Sequence, residues 1–152
     1  MMERIQIYCD GGCRGNHQKE NVGGWGVYLI YKGKEKGICG GERNTTNNRM
    51  ELKGCINGLK SISEAKRYFP VEVFLDSAYV LNGITKWVDG WVKKGWINSQ
   101  KKPVENKELW MELLELKKTY KDITFTKVKG HSTNYGNNMA DKLANDAMDN
   151  IK

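Results

Sequence analysis

The chain has 152 residues, of which 39% are hydrophobic, and its formal net charge is +7. This length and apolar fraction fit one domain with its own hydrophobic core. No apolar run approaches the roughly 20 residues that span a bilayer. The N-terminal residues also lack a signal-peptide core, so we expect a cytoplasmic protein. The basic charge favours a polyanionic partner, either nucleic acid or an anionic membrane surface.

The first third of the chain predicts a meander of three strands followed by a helix. Alternating apolar and polar residues predict a strand over 3–10 that ends in Asp10. A glycine-rich loop follows, and 25–32 and 34–43 are typical of two further strands joined antiparallel. Segment 44–48 is rich in helix-capping residues, and an amphipathic helix of about 12–15 residues is expected after it.

The rest of the chain alternates helical and strand-like segments around one unusual stretch. That stretch, 86–102, interleaves tryptophans with lysines. Around it we predict a strand over 71–76, a helix over 77–84, a helix over 105–119, a strand over 122–128, and a last helix with Ala140, Leu143, Ala144 and Ala147 on its buried face. This order predicts an α/β protein (a mixed α+β arrangement) in which one mixed sheet is flanked by helices and strand four runs parallel to strand one.

Four cysteines occur, and none has the spacing of a zinc site. In a reducing compartment they are expected to be free thiols. They are Cys9, Cys13, Cys39 and Cys55.

Two aspartates stand at the ends of two predicted strands. If those strands are parallel neighbours, Asp10 and Asp76 lie about 5 Å apart, which is one strand spacing. Carboxylates that close repel each other, so one becomes protonated or a cation lies between them. Magnesium prefers a few carboxylate oxygens plus water. Glu51 and Asp141, beside the apolar stripes of their helices, would complete a set of four acids suited to two metal ions.

Each of these residues also has an ordinary explanation. A strand-end aspartate is more often a turn residue or a helix cap, and Glu51 alone would be an acid favoured by the helix dipole. Asp141 alone would belong to a solvated helix face. His131 alone would be a loop histidine, although beside the acids its imidazole would suit proton transfer near neutral pH. The residues therefore predict a metal site only through a fold that brings them together.

Six sequence blocks stand in a fixed order along almost the whole chain. Their most telling motifs are YCDGGCRGN, TTNNRMEL, DSAYV, VKGHS and ADKLA. The blocks cover 8–16, 45–52, 76–80, 83–104, 128–132 and 140–144. One block alone is weakly specific, but all six in this order are highly specific. Together they resemble the bacterial-type (type 1) ribonuclease H family.

This resemblance implies a fold, a reaction and a catalytic set. The fold is a single domain over 1–152 with a five-stranded mixed sheet of order 3-2-1-4-5 and a basic protrusion at about 86–102. The enzyme would cut the RNA strand of RNA–DNA hybrids without sequence preference, leaving 5′-phosphate and 3′-hydroxyl ends. It would use two Mg²⁺ ions per site with substrate, Mn²⁺ substituting, and act as a monomer without an obligate protein partner or membrane. The implied metal ligands are Asp10, Glu51, Asp76 and Asp141, and His131 handles the proton.

The resemblance also implies residues that bind each strand of the hybrid. A 2′-hydroxyl distinguishes RNA from DNA, and it would meet Asn16, Asn47 and the backbone of Gly11, Gly12 and Cys13. A DNA phosphate would bind at Thr46 and Asn106, and deoxyribose at Trp87, Trp91 and Ser99. Lys93 and Lys94 would attract phosphates irrespective of sequence. The alternative for the tryptophan–lysine stretch is a helix packing its own core, with Trp96 the first candidate for burial.

The chain departs from the family pattern at three places. The loop 15–24 is longer and lacks proline, Ala78 replaces a frequent glutamine, and Asn138 replaces a frequent acid. Two other functions remain open: a resolvase- or integrase-like nuclease on the same sheet, and a catalytically inactive module that binds hybrids. The tryptophan–lysine stretch and TTNNRMEL favour the hybrid nuclease over the first. The full set of acids with His131 favours it over the second.

Overall fold

The sheet of the protein has five strands in the order β3-β2-β1-β4-β5, as the resemblance implied. The computed structural model describes residues 3–15, 20–128 and 134–151. Asn16 and His131 lie outside the described residues. The strands are β1 (Ile5–Arg14), β2 (Val22–Tyr31), β3 (Lys34–Arg43), β4 (Val71–Leu75) and β5 (Ile123–Lys127).

The three N-terminal strands pair antiparallel, whereas β4 runs parallel to both β1 and β5. The chain passes from β3 to β4 through the first helix. This crossover is what allows β4 to lie parallel to β1. The helices are α1 (Asn47–Lys60), α2 (Ala78–Asn82), α3 (Val88–Lys93), α4 (Lys107–Lys118) and α5 (Tyr135–Asp149). A 3₁₀ turn at Glu64–Lys66 precedes β4. A π-helical turn at Gly83–Trp87 joins α2 to α3. Within the described ranges, no helix is long and apolar enough to cross a membrane.

Helices cover both faces of the sheet. On β1, Ile7 and Cys9 pack near Gly58 of α1, whereas Tyr8 packs against Gly136 of α5. Because successive strand residues point to opposite faces, α1 and α5 lie on opposite sides. The main core joins the α1 face of the sheet to α4, whose Trp110 is fully buried.

Two predicted boundaries are wrong at the start of the chain. The first strand does not end at residue 10 but continues to Arg14, and β2 begins at Val22 rather than at 25. Gly12 pairs with Gly24 inside the ladder, so the glycines that suggested a long loop belong mostly to strands. Gly24 allows a helix to approach closely, since a Cβ there would lie 2.4 Å from the Ala144 carbonyl oxygen.

The helical segment predicted over 77–84 extends further than expected. It runs through α2, the π-helical turn and α3 to Lys93. The chain then turns through Gly95 and Trp96, which both have positive φ, before Ile97 pairs with Pro103 in an isolated bridge. Trp96 is half-buried against the core, as Trp91 is. The four cysteines are free thiols.

Candidate active site

Three carboxylates converge at the edge of the sheet where the parallel pairing of β1 and β4 ends. Asp10 lies within β1, Asp76 follows β4 directly, and Glu51 lies in α1. One carboxylate oxygen from each lies within 4.8 Å of the other two. Asp10 is buried, whereas Glu51 and Asp76 are half-buried. The three acids are therefore brought together, although Asp10 lies inside its strand rather than at its end as predicted.

Strand register explains why Asp10 and Asp76 meet. Cys9 pairs with Leu75 across the parallel ladder, so the two following residues are neighbours at the sheet edge. Gly11 explains how Glu51 joins them. A Cβ at Gly11 would lie 2.4 Å from the Met50 carbonyl carbon and 2.5 Å from the Glu51 nitrogen. Only a residue without a side chain lets α1 approach β1 this closely.

Asp141 approaches the same group from the other face of the sheet. It is exposed on α5 and is not one of the three mutually close acids, but its carboxyl lies within hydrogen-bonding reach of Asp10. Gly26 pairs with Asp10 across the sheet, and a Cβ there would lie 2.2 Å from the carbonyl oxygen of Ala140. Close packing of α5 on Gly26 therefore places Asp141 beside Asp10.

Burial and crowding change the protonation of this group. Burial first, then contacts with Asp141 and Asp76, raises the pKa of Asp10 from 3.8 to about 7. Burial and repulsion from Asp10 raise the pKa of Glu51 well above its usual range. Glu51 Oε1 is shielded from solvent and has no hydrogen-bond donor among the described residues. An acid cluster with an unpartnered buried oxygen is electrostatically incomplete without a cation.

The donor set indicates the kind of cation. All the converging ligand atoms are carboxylate oxygens, which suit hard divalent ions such as magnesium or manganese. Cys9 and Cys55 are buried nearby in the core, but they are not part of the convergent group. The residues therefore fit a hard divalent metal, and Asp10, Glu51 and Asp76 would hold it, with Asp141 beside them.

The raised pKa of Asp10 predicts a pH-dependent cost in stability when metal is absent. Because the folded-state pKa lies above the unfolded value, the carboxyl destabilises the fold increasingly as pH rises from about 4 to about 7. In chelator at pH 7.5, Asp10→Asn should therefore be more stable than the wild type by about 2–4 kcal/mol. Urea unfolding of both proteins at pH 4 and pH 7.5 measures this difference in the free energy of unfolding. A difference that is as large at pH 4 as at pH 7.5 would contradict the prediction.

The predicted phosphate-pocket residues are linked by a residue that the sequence prediction left out. Thr46 caps α1 by accepting a hydrogen bond from the Arg49 backbone nitrogen at 3.1 Å. The Arg49 guanidinium donates to Asn106 Oδ1 at 3.1 Å and also pairs with Glu108. Asn106, in the left-handed region at φ 59°, donates to the Tyr79 hydroxyl at 3.2 Å. Arg49 lies within TTNNRMEL, so the signal for it was present.

The tryptophan–lysine stretch contributes to a row of aromatic rings that runs from the surface into the core. The ring centroids of Trp87 and Trp91 are 5.9 Å apart, and Trp91 lies 5.3 Å from buried Trp110. Trp87 remains 39% exposed. Lys93, Lys94 and Ser99 are also exposed. The inner rings therefore pack on the core, as the alternative interpretation expected, while the outer ring and the lysines face solvent.

The predicted RNA contacts within the described residues lie on β1 after Asp10 and at the start of α1, the helix that carries Glu51. Gly11, Gly12 and Cys13 are half-buried on β1, and Asn47 is exposed at the first position of α1. One cation at this edge was missed altogether: Lys127 at the end of β5 donates through Nζ to the backbone carbonyl of Asp76. Nothing in its local pattern separates Lys127 from the other surface lysines, so only the fold could identify it.

Comparison with known proteins supplies a family. A family model described as RNase H matches residues 2–149. The chain is 47% identical over 148 residues to a ribonuclease H of Erythrobacter litoralis, covering 97% of this chain and 98% of that protein. It is 49% identical over 147 residues to a ribonuclease H of Caldanaerobacter subterraneus, covering 96% and 92% respectively.

Solved structures agree with the fold. LC9-RNase H1, described as a type 1 RNase H with the type 2 active-site motif, superposes with a TM-score of 0.84 at 30% identity, covering 98% of this chain and 74% of that one. A foamy viral protease-reverse transcriptase solved with an RNA/DNA hybrid shares the fold, with a TM-score of 0.83 at 21% identity over 97% of this chain and 20% of that one. The full-length match to the family model and to these relatives shows that the chain belongs to the ribonuclease H family and is a ribonuclease.

Proposed function

We propose that the protein is an endonuclease that hydrolyses the RNA strand of RNA–DNA hybrids without sequence preference. The observation that carries this proposal is the convergence of Asp10, Glu51 and Asp76 at one sheet edge, with an unpartnered buried oxygen on Glu51. Family membership supports the substrate, and the hybrid bound to the foamy viral neighbour is consistent with it. The domain is proposed to span 1–152 and to act as a monomer.

The four acids have the role of holding metal at the scissile phosphate. When bound, two Mg²⁺ ions, or Mn²⁺ in their place, would activate water and neutralise charge on the phosphate and leaving oxygen. Asp10 and Asp76 are fixed by the ladder, Glu51 by α1 and Asp141 by α5. Because these supports are regular elements, the acids are pre-positioned before substrate arrives.

The bond chemistry then follows from the ends that we propose. Water attacks phosphorus, the bond from phosphorus to O3′ breaks, and the products carry a 5′-phosphate and a 3′-hydroxyl. The departing O3′ must gain a proton, and the attacking water must lose one. His131 is proposed to carry protons between these groups and solvent, since an imidazole titrates near neutral pH.

Recognition of the two strands is divided between two surfaces. Asn16, Asn47 and the backbone of Gly11, Gly12 and Cys13 are proposed to meet the 2′-hydroxyls of RNA beside the acids. Thr46 and Asn106, linked by Arg49, are proposed to bind a DNA phosphate. Trp87, Trp91 and Ser99 would receive deoxyribose, which lacks the 2′-hydroxyl.

A hybrid with a label on its RNA strand tests the proposed function. We expect RNA cleavage with Mg²⁺ and none in chelator. The products should be ligatable by an enzyme that requires 5′-phosphate and 3′-hydroxyl ends. An all-DNA duplex, an all-DNA junction and the same hybrid labelled on DNA serve as controls. Binding without cleavage would indicate an inactive module, and cutting of the junction in preference to the hybrid would indicate a resolvase.

The exposed lysines of α3 and its C-terminal end give a separate prediction about affinity. Replacing both Lys93 and Lys94 by alanine should weaken hybrid binding about three- to thirtyfold and lower the slope of log K against log salt by roughly 1–2, because each phosphate contact releases counterions. Fluorescence anisotropy at several salt concentrations measures both. The matched control, Lys117→Ala with Lys121→Ala, removes equal charge elsewhere. Equal slopes in the two double variants would contradict a binding role for α3.

A further inference from the structure

Lys127 places a positive charge at the sheet edge that carries the acids. It is the last residue of β5 and pairs with Leu75, the residue before Asp76. Its Nζ donates to the backbone carbonyl oxygen of Asp76, and the side chain is otherwise exposed. The ammonium is therefore anchored beside a proposed metal ligand while it remains open to solvent.

The bonding of Lys127 differs from that of other cations in this region. Arg14, at the end of β1, pairs with Asp149, and Lys142, next to Asp141 on α5, pairs with Asp146. Those charges are balanced by carboxylates. Among residues 3–15, 20–128 and 134–151, the acceptor for Lys127 is a neutral carbonyl and no carboxylate pairs with it, so its positive charge stays available to an anion. An ammonium has three donors, and the contact with Asp76 occupies one of them.

The ligand chemistry follows from the location. Substrate is a polyanion that must approach a cluster of acids, and phosphates flank the cleaved linkage on the same strand. A lysine is a compact point charge suited to phosphate without a fixed geometry. Because Asp76 belongs to the acid group, a phosphate that reaches Lys127 lies next to the one being cleaved.

We infer that Lys127 binds a phosphate of the RNA strand adjacent to the scissile phosphate and thereby positions the strand over the acids. This role rests on the proposed function and adds a residue that neither the family motifs nor the acid cluster contains. A purely structural role, in which Lys127 holds the backbone at Asp76, predicts different behaviour and can be separated by measurement.

The protein variants for this test are Lys127→Ala and Lys127→Gln, with Lys127→Arg to restore charge. The matched control is Lys121→Ala, which removes an exposed lysine from the opposite end of the β5 segment. Steady-state cleavage of one hybrid at several salt concentrations gives KM, kcat and the salt slope. We expect KM to rise about tenfold in the Ala and Gln variants and the slope to fall by roughly 0.7–0.9, the value for one phosphate. Lys127→Arg should recover most of the loss.

A modified substrate tests the same contact without changing the protein. A single uncharged methylphosphonate is placed in turn at each linkage beside the cleaved one. At one linkage, the methylphosphonate should weaken wild-type binding as much as Lys127→Ala weakens binding of the unmodified hybrid. The same methylphosphonate should not weaken binding by Lys127→Ala any further. Additive losses at every linkage would overturn the inference.

Two further outcomes also overturn the inference. An unchanged KM and salt slope in Lys127→Ala would show that Lys127 does not contact a phosphate. A shift in the Mg²⁺ concentration for half-maximal activity, with an unchanged salt slope, would show that Lys127 acts only by supporting Asp76. In both cases wild-type cleavage persists and the proposed function stands. Failure of the wild type and Lys121→Ala to cleave the hybrid would instead refute the proposed function.

Discussion

Asp10→Asn is expected to lower the rate of hybrid cleavage about a thousandfold or more while leaving hybrid affinity within about threefold. Asp10 is the buried member of the acid group and contacts both Glu51 and Asp141, so its amide would remove a central metal ligand. Loss of several kcal/mol of transition-state stabilisation corresponds to a rate loss of this size. Single-turnover cleavage in Mg²⁺ measures the rate, and anisotropy measures the affinity.

The matched control for this substitution is Asp122→Asn. Asp122 is an exposed acid paired with Arg4, just before the start of β5. The Asp122→Asn substitution removes the same charge at the opposite end of the sheet. It should leave the cleavage rate within about twofold of the wild type, because exposed ion pairs contribute little to stability. Full activity of Asp10→Asn would refute the assignment of the metal site. An equal loss in both variants would point to a general charge effect.

Gly26→Ala is expected to reduce both the stability and the activity of the enzyme. The added Cβ would lie 2.2 Å from the carbonyl oxygen of Ala140 and 2.6 Å from the backbone nitrogen of Ala144. Both atoms belong to helix backbone, so α5 must move away from the sheet. Overpacking of this kind costs about 1–3 kcal/mol, occasionally more. Because Asp141 follows Ala140, we also expect weaker metal binding, seen as a higher Mg²⁺ requirement.

Gly90→Ala provides the control for this second substitution. Gly90 lies inside α3, and a Cβ there would meet no atom within 4 Å. Alanine in a helix interior is favoured over glycine, so this variant should gain about 0.5–1 kcal/mol. Denaturant unfolding compares the two, and titration of activity with Mg²⁺ reports on the site. A stable Gly26→Ala enzyme with normal Mg²⁺ dependence would show that close packing of α5 is not required.

Much of the fold followed from hydrophobic periodicity. Alternating residues predicted a first strand ending at Asp10 and a fourth strand ending at Asp76, so both acids were placed at strand ends. The chain order then made those strands parallel, and their adjacency is confirmed by the ladder from Ile5 to Cys9. Strand and helix periods carry this information locally, since side-chain direction follows directly from them.

Boundaries near glycine were harder to predict, for a physical reason. Glycine favours turns when only local conformation is considered, and Gly11, Gly12 and Gly24 therefore predicted a loop. In the folded protein the same absence of a side chain at Gly11 and Gly24 allows contacts with helices distant in sequence. Local patterns do not contain those contacts, so the extension of β1 to Arg14 could not be inferred from them.

The details of the site depended on similar long-range contacts. Glu51 reaches Asp10 only because α1 packs on Gly11, and Asp141 does so because α5 packs on Gly26. Arg49 lies within a recognised motif, but its link to Asn106 is a long-range hydrogen bond, and Lys127 was identified only through its hydrogen bond to the Asp76 backbone. The ordered motifs identified the acids by resemblance, whereas the packing explains how those acids can act together.

Anomalous scattering from Mn²⁺ in crystals of the wild-type protein is the decisive test of the metal site. We expect an anomalous peak within coordination distance of carboxylate oxygens from Asp10, Glu51 and Asp76, and its loss in crystals of Asp10→Asn. A peak in a hybrid complex should also contact the scissile phosphate. Manganese bound only elsewhere on the surface, with no peak among these three acids at a concentration that supports cleavage, would refute the assignment of the metal site.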